Sequence, residues 1–254
     1  MTELELLVDF HKSAKRQGPG SLNTTLKAMD LVNLSRDKNL KVADIGCGTG
    51  FQTLVLAKNS KWEITAIDFL KEFIEILEKK LIENKLQDRV KLKTESMDNL
   101  SFEKESLDLI WSEGAIYSMG FENGLKYWKQ FLKKEAYIAV SEITWLTEER
   151  PKELNDYWKS NYEEIGTFSE KKEVIERLGY SLVDYFILPQ DDWLESYYNP
   201  MEMRFNEFLE RHNHSLEAKK LVENDEKEIE IYKKYKEYFS YGFYVMKKIS
   251  RRNV

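Results

Sequence analysis

The sequence predicts an α/β fold in which a mostly parallel sheet carries helices on both faces. Three observations predict it. Short apolar runs alternate with amphipathic stretches from Leu40 to Ile143, the pattern of repeated β-α units. A glycine-rich turn joins the first of these strands to the first of these helices. The chain has 254 residues, 42% of them hydrophobic and 33% charged, which suits one large folded domain and not a disordered chain.

The opening segment reads as a helix to about Arg16. Gln17-Gly18-Pro19-Gly20-Ser21 breaks it, because proline and glycine interrupt helices. A second helix follows, roughly Ser21 to Asn33, with Ser21 or Asn23 as its cap. Leu40 to Ile45 is an apolar strand, Phe51 to Lys58 a helix and Ile64 to Ile67 a strand with a β-branched bias. Leu70 to Asn84 places Phe73, Ile74, Leu77, Leu81 and Ile82 at helical spacing. Val90 to Lys93 and Leu107 to Trp111 read as strands, Gly124 to Leu132 as a helix and Tyr137 to Ile143 as a strand. Two helices (Glu149 to Tyr162, Glu170 to Leu178) and a strand (Ser181 to Leu188) come next.

Gln190 to Tyr238 is charged and mostly helical, and Tyr241 to Ile249 is a final aromatic strand. The expected organisation is a single domain: an N-terminal helical lid over 1–36, a core over 37–189, a helical insertion over 190–238 and a last strand within 239–254. Few prolines and glycines leave little room for long linkers.

Composition narrows the function. A net charge of −6 repels phosphate backbones, so nucleic acid is not the expected partner. The single cysteine, Cys47, permits neither an intramolecular disulfide nor a cysteine metal cluster. His212 and His214 read as a solvated surface pair, not as metal ligands. Glu3 and Glu5 stand where a signal peptide is basic, and no apolar run is long enough to span a membrane. The cytoplasm is the expected compartment.

The chemistry concentrates in Val42-Ala43-Asp44-Ile45-Gly46-Cys47-Gly48-Thr49-Gly50. A strand ends in an acid, and alternate glycines then let the backbone turn sharply and let a ligand approach it. Asp68 ends the next strand, roughly twenty residues on, a spacing at which an acid reaches ribose hydroxyls; helix capping is its other reading.

These residues resemble motif I of class I methyltransferases, whose glycine pattern is G-x-G-x-G, not the G-x-G-x-x-G of NAD-binding folds. Ser96-Met97-Asp98 matches the place where that family puts an acid near the adenine amino group. Leu107 to Ser112 resembles its fourth strand, followed by residues near the methionine part of the cofactor. The matches span roughly 40–145. The resemblance implies a Rossmann-like, seven-stranded sheet with one antiparallel strand; the 190–238 block then reads as an insertion before the last strand. It implies S-adenosylmethionine as cofactor and S-adenosylhomocysteine as product. The cofactor residues it implies are Arg16, Gly18, Asp44, Gly46, Cys47, Gly48, Gly50, Gln52, Asp68, Phe69, Ser96, Met97, Asp98 and Ser112.

Three further stretches are similar to bacterial ubiquinone/menaquinone-biosynthesis-like methyltransferases: Arg16 to Ser21, Trp111 to Tyr117 and Ala139 to Glu142. The long charged insertion departs from typical quinone methyltransferases. The expected activity is methyl transfer to a small-molecule acceptor. A quinone-precursor C-methyltransferase is one alternative, and a non-catalytic cofactor-binding protein on the same fold is another.

A sulfonium methyl is already electrophilic, so alignment of the nucleophile and exclusion of water carry most of the chemistry. Glu113 is the candidate base or substrate contact, its other reading being a hydrogen bond to backbone or cofactor. Tyr117 either contacts the sulfonium or lines the pocket. Arg16 to Ser21 is a lid candidate, with Arg16 pairing the cofactor carboxylate or sitting at the surface of an ordinary turn. Trp193, Tyr197, Tyr198 and Phe205 form either a substrate cap, the insertion's own core or a homodimer contact. The Lys219 to Tyr238 run reads as an amphipathic helix packed on the core.

Overall fold

The computed structural model of the chain describes residues 1–249; the end of the segment assigned to the last strand, 250–254, lies outside them. Two helices come first, α1 (Glu3–His11) and α2 (Leu22–Leu31). A capping box starts α1, with Thr2 Oγ1 accepting from the Glu5 N–H and Glu5 accepting from the Thr2 N–H. The helix stops at His11, not near Arg16, because the chain folds back there. Gln17 Nε2 donates to the His11 carbonyl (3.1 Å) and to that of Ala14 (3.3 Å). Ser21, not Asn23, caps α2.

The alternating part follows: β1 (Lys41–Ile45), α3 (Phe51–Lys58), β2 (Glu63–Asp68), α4 (Lys71–Glu83), β3 (Val90–Thr94), β4 (Leu107–Glu113), α5 (Phe121–Trp128) and β5 (Leu132–Trp145). Then come α6 (Lys152–Asn161), the two-residue β6 (Gly166–Thr167), α7 (Phe168–Arg177) and β7 (Tyr180–Ile187). The insertion holds α8 (Gln190–Trp193), a π-helical turn, α9 (Asn199–Glu202), α10 (Phe205–Arg211) and α11 (Leu216–Tyr235), and β8 (Phe239–Lys248) closes the chain.

The strands form one sheet in the order β3-β2-β1-β4-β5-β8-β7, with β6 added beside β5. β1 to β5 run parallel, and β8 is antiparallel to both β5 and β7. This is the class I methyltransferase arrangement expected from the resemblance. Strands β1 and β4 are buried on both faces, which accounts for their nearly continuous apolar runs. On α4, Phe73, Ile74, Leu77 and Leu81 face the sheet, while Ile82 lies outside the stripe and is exposed. The strand order reverses between β2-β1 and β4-β5, and at such a switch point the carboxyl ends of neighbouring strands splay and leave a crevice.

Two boundaries differ from expectation. The helix placed over Gly124 to Leu132 begins three residues earlier, at Phe121, and Leu132 already belongs to β5. The start of β5 carries Lys133, Lys134 and Glu135, which break the apolar run; Glu135 takes a positive φ of 59°, and the register with β4 shifts between Leu132 and Tyr137. Of the two histidines read as solvated, His214 is exposed and His212 is not. His212 ends α10 and its Nε2 lies 2.8 Å from Asp9 Oδ2, and Asn213 and His214 form a left-handed turn.

A separate aromatic core joins the two ends of the chain. Phe10 of α1 stacks on Phe205 at 5.6 Å and meets Phe208 edge-on at 4.9 Å. Trp193 stacks on Tyr232 at 4.5 Å. The α1 helix of the N-terminal segment and the insertion are thus one helical layer sharing buried side chains, while Ala28 and Met29 of α2 belong to the core against the sheet.

Candidate functional site

At the switch point lies a cavity of about 570 Å³, floored by the turn after β1 and by the ends of β2 and β4. The turn is tight because its glycines adopt left-handed angles: Gly46 at φ 73°, Gly48 at 55° and Gly50 at 86°. A Cβ on Gly46 would stand 2.3 Å from that of Ala115, and one on Gly48 would meet Gln17 Oε1 at 2.5 Å. Backbone therefore forms this wall, and no side chain can be added to it without displacement.

Asp68 is fixed at the edge of the turn. Its Oδ2 accepts from the Gly48 N–H (2.8 Å) and its Oδ1 from the Leu70 N–H (2.9 Å). Burial pushes its pKa up, and these backbone N–H groups pull it back. Each oxygen retains a second lone pair. Gln17 locks the lid to the same turn, its Oε1 accepting from the Thr49 N–H (2.9 Å) and the Thr49 hydroxyl (3.2 Å).

Arg16 and Glu113 form a buried ion pair at 2.6 Å, their side chains 6% and 3% exposed. Glu113 also accepts from the Thr25 hydroxyl (2.8 Å) and the Trp111 indole (2.9 Å). The Arg16 guanidinium lies over the Phe51 ring at 4.6 Å, and its Nη1 is buried with no partner among the described residues.

Residues 36–199, more than half of the chain, match a family described as a methyltransferase domain. The chain belongs to the methyltransferase domain family. A curated relative, the ribosomal protein L11 methyltransferase of Acetivibrio thermocellus, is 28% identical over 140 residues; the match covers 55% of this chain but only 42% of that protein. Two solved structures overlap nearly the whole chain. One is a SAM-dependent methyltransferase of Geobacter sulfurreducens in complex with S-adenosylhomocysteine, with a TM-score of 0.83, 18% identity and coverage of 95% of this chain and 97% of that one. The other is YjhP of E. coli, with a TM-score of 0.84, 17% identity and coverage of 97% and 100%.

In this methyltransferase domain the cavity gathers most of the residues singled out from the sequence. Arg16, Gly18, Gly46, Cys47, Gly48, Gln52, Asp68, Phe69, Ser96, Met97, Asp98, Glu113 and Tyr117 all line it. Phe69 presents an exposed ring at the rim. Ser96 donates to Asp98 (2.5 Å), and the Met97 carbonyl is held by the Trp128 indole (2.9 Å). The Cys47 thiol is buried, and its pKa lies well above the ordinary value because burial disfavours the thiolate.

Three of the expected cofactor residues do not line the cavity. Asp44 is fully buried beneath it, accepting from Thr53 (2.5 Å) and Gln52 (3.3 Å), and burial raises its pKa to about 7. Gly50 packs against Leu77, where a Cβ would come within 2.1 Å. Ser112 donates to the Ile45 carbonyl (2.8 Å) and ties β4 to β1. Glu113, expected as a base, is at the wall, but its oxygens are taken by Arg16, Thr25 and Trp111. Arg16 is no surface residue. Of the four aromatic residues singled out at the start of the insertion, Trp193, Tyr198 and Phe205 are core, while Tyr197 lines the cavity.

Sequence reasoning missed His11, Gln17 and Ala115. His11 carries a buried Nδ1 without a partner among the described residues, and burial beside Arg204 lowers its pKa to about 4. Gln17 and Ala115 sit inside stretches already quoted for their resemblance, and that resemblance was the signal that could have found them. No group of acidic, histidine or cysteine side chains among the described residues is arranged to hold a metal, and no described helix is long and apolar enough to cross a membrane.

Proposed function

We propose that this chain transfers the methyl group of S-adenosylmethionine to a small-molecule acceptor in the cavity at the switch point. The observation that carries the reading is the convergence of the glycine turn, Asp68 and Ser96-Met97-Asp98 on one wall, with Arg16 at the lid. The wall fits the cofactor piece by piece. The spare lone pairs of Asp68 suit the ribose hydroxyls, and Phe69 and Met97 offer apolar surface to the adenine, with Asp98 toward its amino group. The unpartnered Arg16 Nη1 suits the methionine carboxylate. When bound, the cofactor supplies an electrophilic methyl.

The protein's part is positioning. The lid, tied down by Gln17 and Arg16, closes over the glycine turn and keeps water out, and Tyr117 stands where the acceptor enters. The acidic surface favours a small acceptor over nucleic acid.

The test is calorimetric titration with S-adenosylmethionine and S-adenosylhomocysteine. Binding by the wild type is expected, with affinity about 100-fold weaker in Asp68→Ala, as for the loss of two charged hydrogen bonds. Absence of binding in the folded wild type would sink the assignment.

A further inference from the structure

Two tyrosines, Tyr117 and Tyr197, line the cavity, and three more adjoin that lining. Tyr162 meets Tyr117 edge-on at 6.1 Å, and Tyr198 lies 5.2 Å from Tyr197. Tyr241 stands against Gly114, where an added Cβ would be 3.6 Å from its ring.

Three carboxylates stand behind these rings. Glu142, fully buried near the end of β5, accepts from the Tyr162 hydroxyl (2.6 Å) and the Lys171 ammonium (3.0 Å) through Oε1. Its Oε2 is buried with no partner among the described residues. Glu228 on α11 accepts from the Tyr198 hydroxyl (2.8 Å). Asp225, one turn earlier on α11, also keeps a buried Oδ2 without a partner among the described residues.

The nearby cations are committed. Lys171 gives a further bond to the Glu164 carbonyl (2.8 Å), and Arg204 donates from Nε to the Pro200 carbonyl and from Nη1 to the Phe10 carbonyl and Ser13, while its charge offsets part of the effect of burial on Asp225. Burial pushes the pKa of Glu228 up, and burial with Glu228 alongside raises Asp225 to about 7. Burial pushes up the phenols of Tyr117, Tyr197 and Tyr241, and the charge of Glu228 adds to it at each of them. The groups assigned to the cofactor lie in the lid and at or just after the ends of β1, β2 and β3; the three carboxylates lie on β5 and α11 and serve none of that binding.

We propose that the acceptor is an amine, held between the faces of Tyr117 and Tyr197 with the carboxylates of Glu142, Asp225 and Glu228 behind them. The inference rests on the methyl-transfer reading above. Tyrosine faces and unpaired carboxylate oxygens both attract a cation. The protonated amine gives its proton to a carboxylate of the Asp225–Glu228 pair, and from there to solvent. Its freed lone pair forms the N–C bond, while the pair of the broken C–S bond stays on sulfur. The positive charge passes from sulfur to nitrogen, toward the carboxylates. A phenol or enol acceptor would instead develop an anion beside three carboxylates.

The experiment measures binding without turnover. Protein saturated with S-adenosylhomocysteine is titrated with choline and with its uncharged isostere 3,3-dimethylbutan-1-ol, for the wild type, Glu228→Gln and Tyr117→Leu. Choline is expected to bind at least about tenfold more tightly than the isostere, and each variant to lose about that factor for choline alone. Unchanged S-adenosylhomocysteine affinity in the variants shows that they are folded. Equal binding of the two probes, binding of neither at millimolar concentration, or a choline preference that survives both substitutions would overturn the amine assignment. With S-adenosylhomocysteine still bound, those outcomes leave the methyl-transfer reading standing. Failure of S-adenosylhomocysteine to bind the wild type removes both.

Discussion

Removing the carboxylate of Glu113 should unlatch the lid. In Glu113→Ala the Arg16 guanidinium, 6% exposed in the intact pair, loses its counter-charge while staying buried. Breaking one side of such a pair costs about 3 to 5 kcal/mol. The Thr25 hydroxyl and Trp111 indole also lose their acceptor, at about 1 to 3 kcal/mol each when left dry. These costs overlap, because water entering the vacated space solvates all three donors together. Arg16 further keeps its bonds to the carbonyls of Gly18 (3.2 Å) and Pro19 (3.3 Å). The expected loss is therefore about 4 kcal/mol, a large part of the roughly 5 to 15 typical of a domain.

Urea unfolding of wild type, Glu113→Leu, Arg16→Met and the double variant Arg16→Met/Glu113→Leu gives the cycle, with Glu113→Ala measured beside it. The double variant should be more stable than either single, with a coupling of at least about 2 kcal/mol. A cost below about 1 kcal/mol for Glu113→Ala, or costs that simply add, would refute the latch. Glu113→Gln separates latch from base. As a latch it loses stability and S-adenosylhomocysteine affinity together with turnover. A proton acceptor would lose turnover with stability and affinity intact.

Other outcomes follow from the same structure. Gly46→Ala combines a left-handed φ of 73° with a Cβ 2.3 Å from that of Ala115, so thermal unfolding should show a loss of about 2 to 5 kcal/mol. Asp44 sets a pH dependence. Its carboxyl titrates at about 7 in the folded protein, against 3.8 for an ordinary solvated aspartate, so the folded state holds the proton more tightly than the unfolded chain does. Wild-type stability should fall between about pH 4 and 7 and level off above, by about 4 kcal/mol relative to Asp44→Asn, whose amide does not titrate; parallel unfolding curves for the two proteins across that window would contradict the buried carboxyl. Phe10→Ala removes a side chain 1% exposed and should cost about 3 to 5 kcal/mol, with limited proteolysis cutting α10–α11 and the lid at matched rates. Cleavage confined to the lid would show that the two do not share a core.

The sheet was legible because local signals agreed in it. β1, β2 and β4 are short apolar runs closed by a glycine or an acid, and α3 spans Phe51–Lys58 as its sequence reads. The cavity wall proposed for the cofactor was legible for the same reason, since Gly46, Gly48 and Asp68 lie near one another in sequence as well as in space. What escaped was set by distance along the chain. Arg16 and Glu113 are 97 positions apart, and nothing local in either says that the other neutralises it. Glu113 beyond a fourth strand looks like a base until the guanidinium is found beside it. The insertion read as one helical block because its breaks fall at turns without proline, at Arg204 and at Asn213-His214, where backbone angles and not composition end the helix.

The sharing of one core by the two ends of the chain bears on how the protein is made. When α1 leaves the ribosome, the partners of Phe10, namely Phe205 and Phe208, are still almost two hundred residues from being translated. At about 5 to 20 residues per second the apolar face of that helix waits roughly ten seconds or more. β7 waits as well, since its sheet neighbour β8 is the last strand synthesised and must be laid down between β5 and β7. The nascent chain thus completes its parallel half first and carries two unsatisfied surfaces until α10 and β8 emerge, which makes this interval the stage at which a holding chaperone would find it.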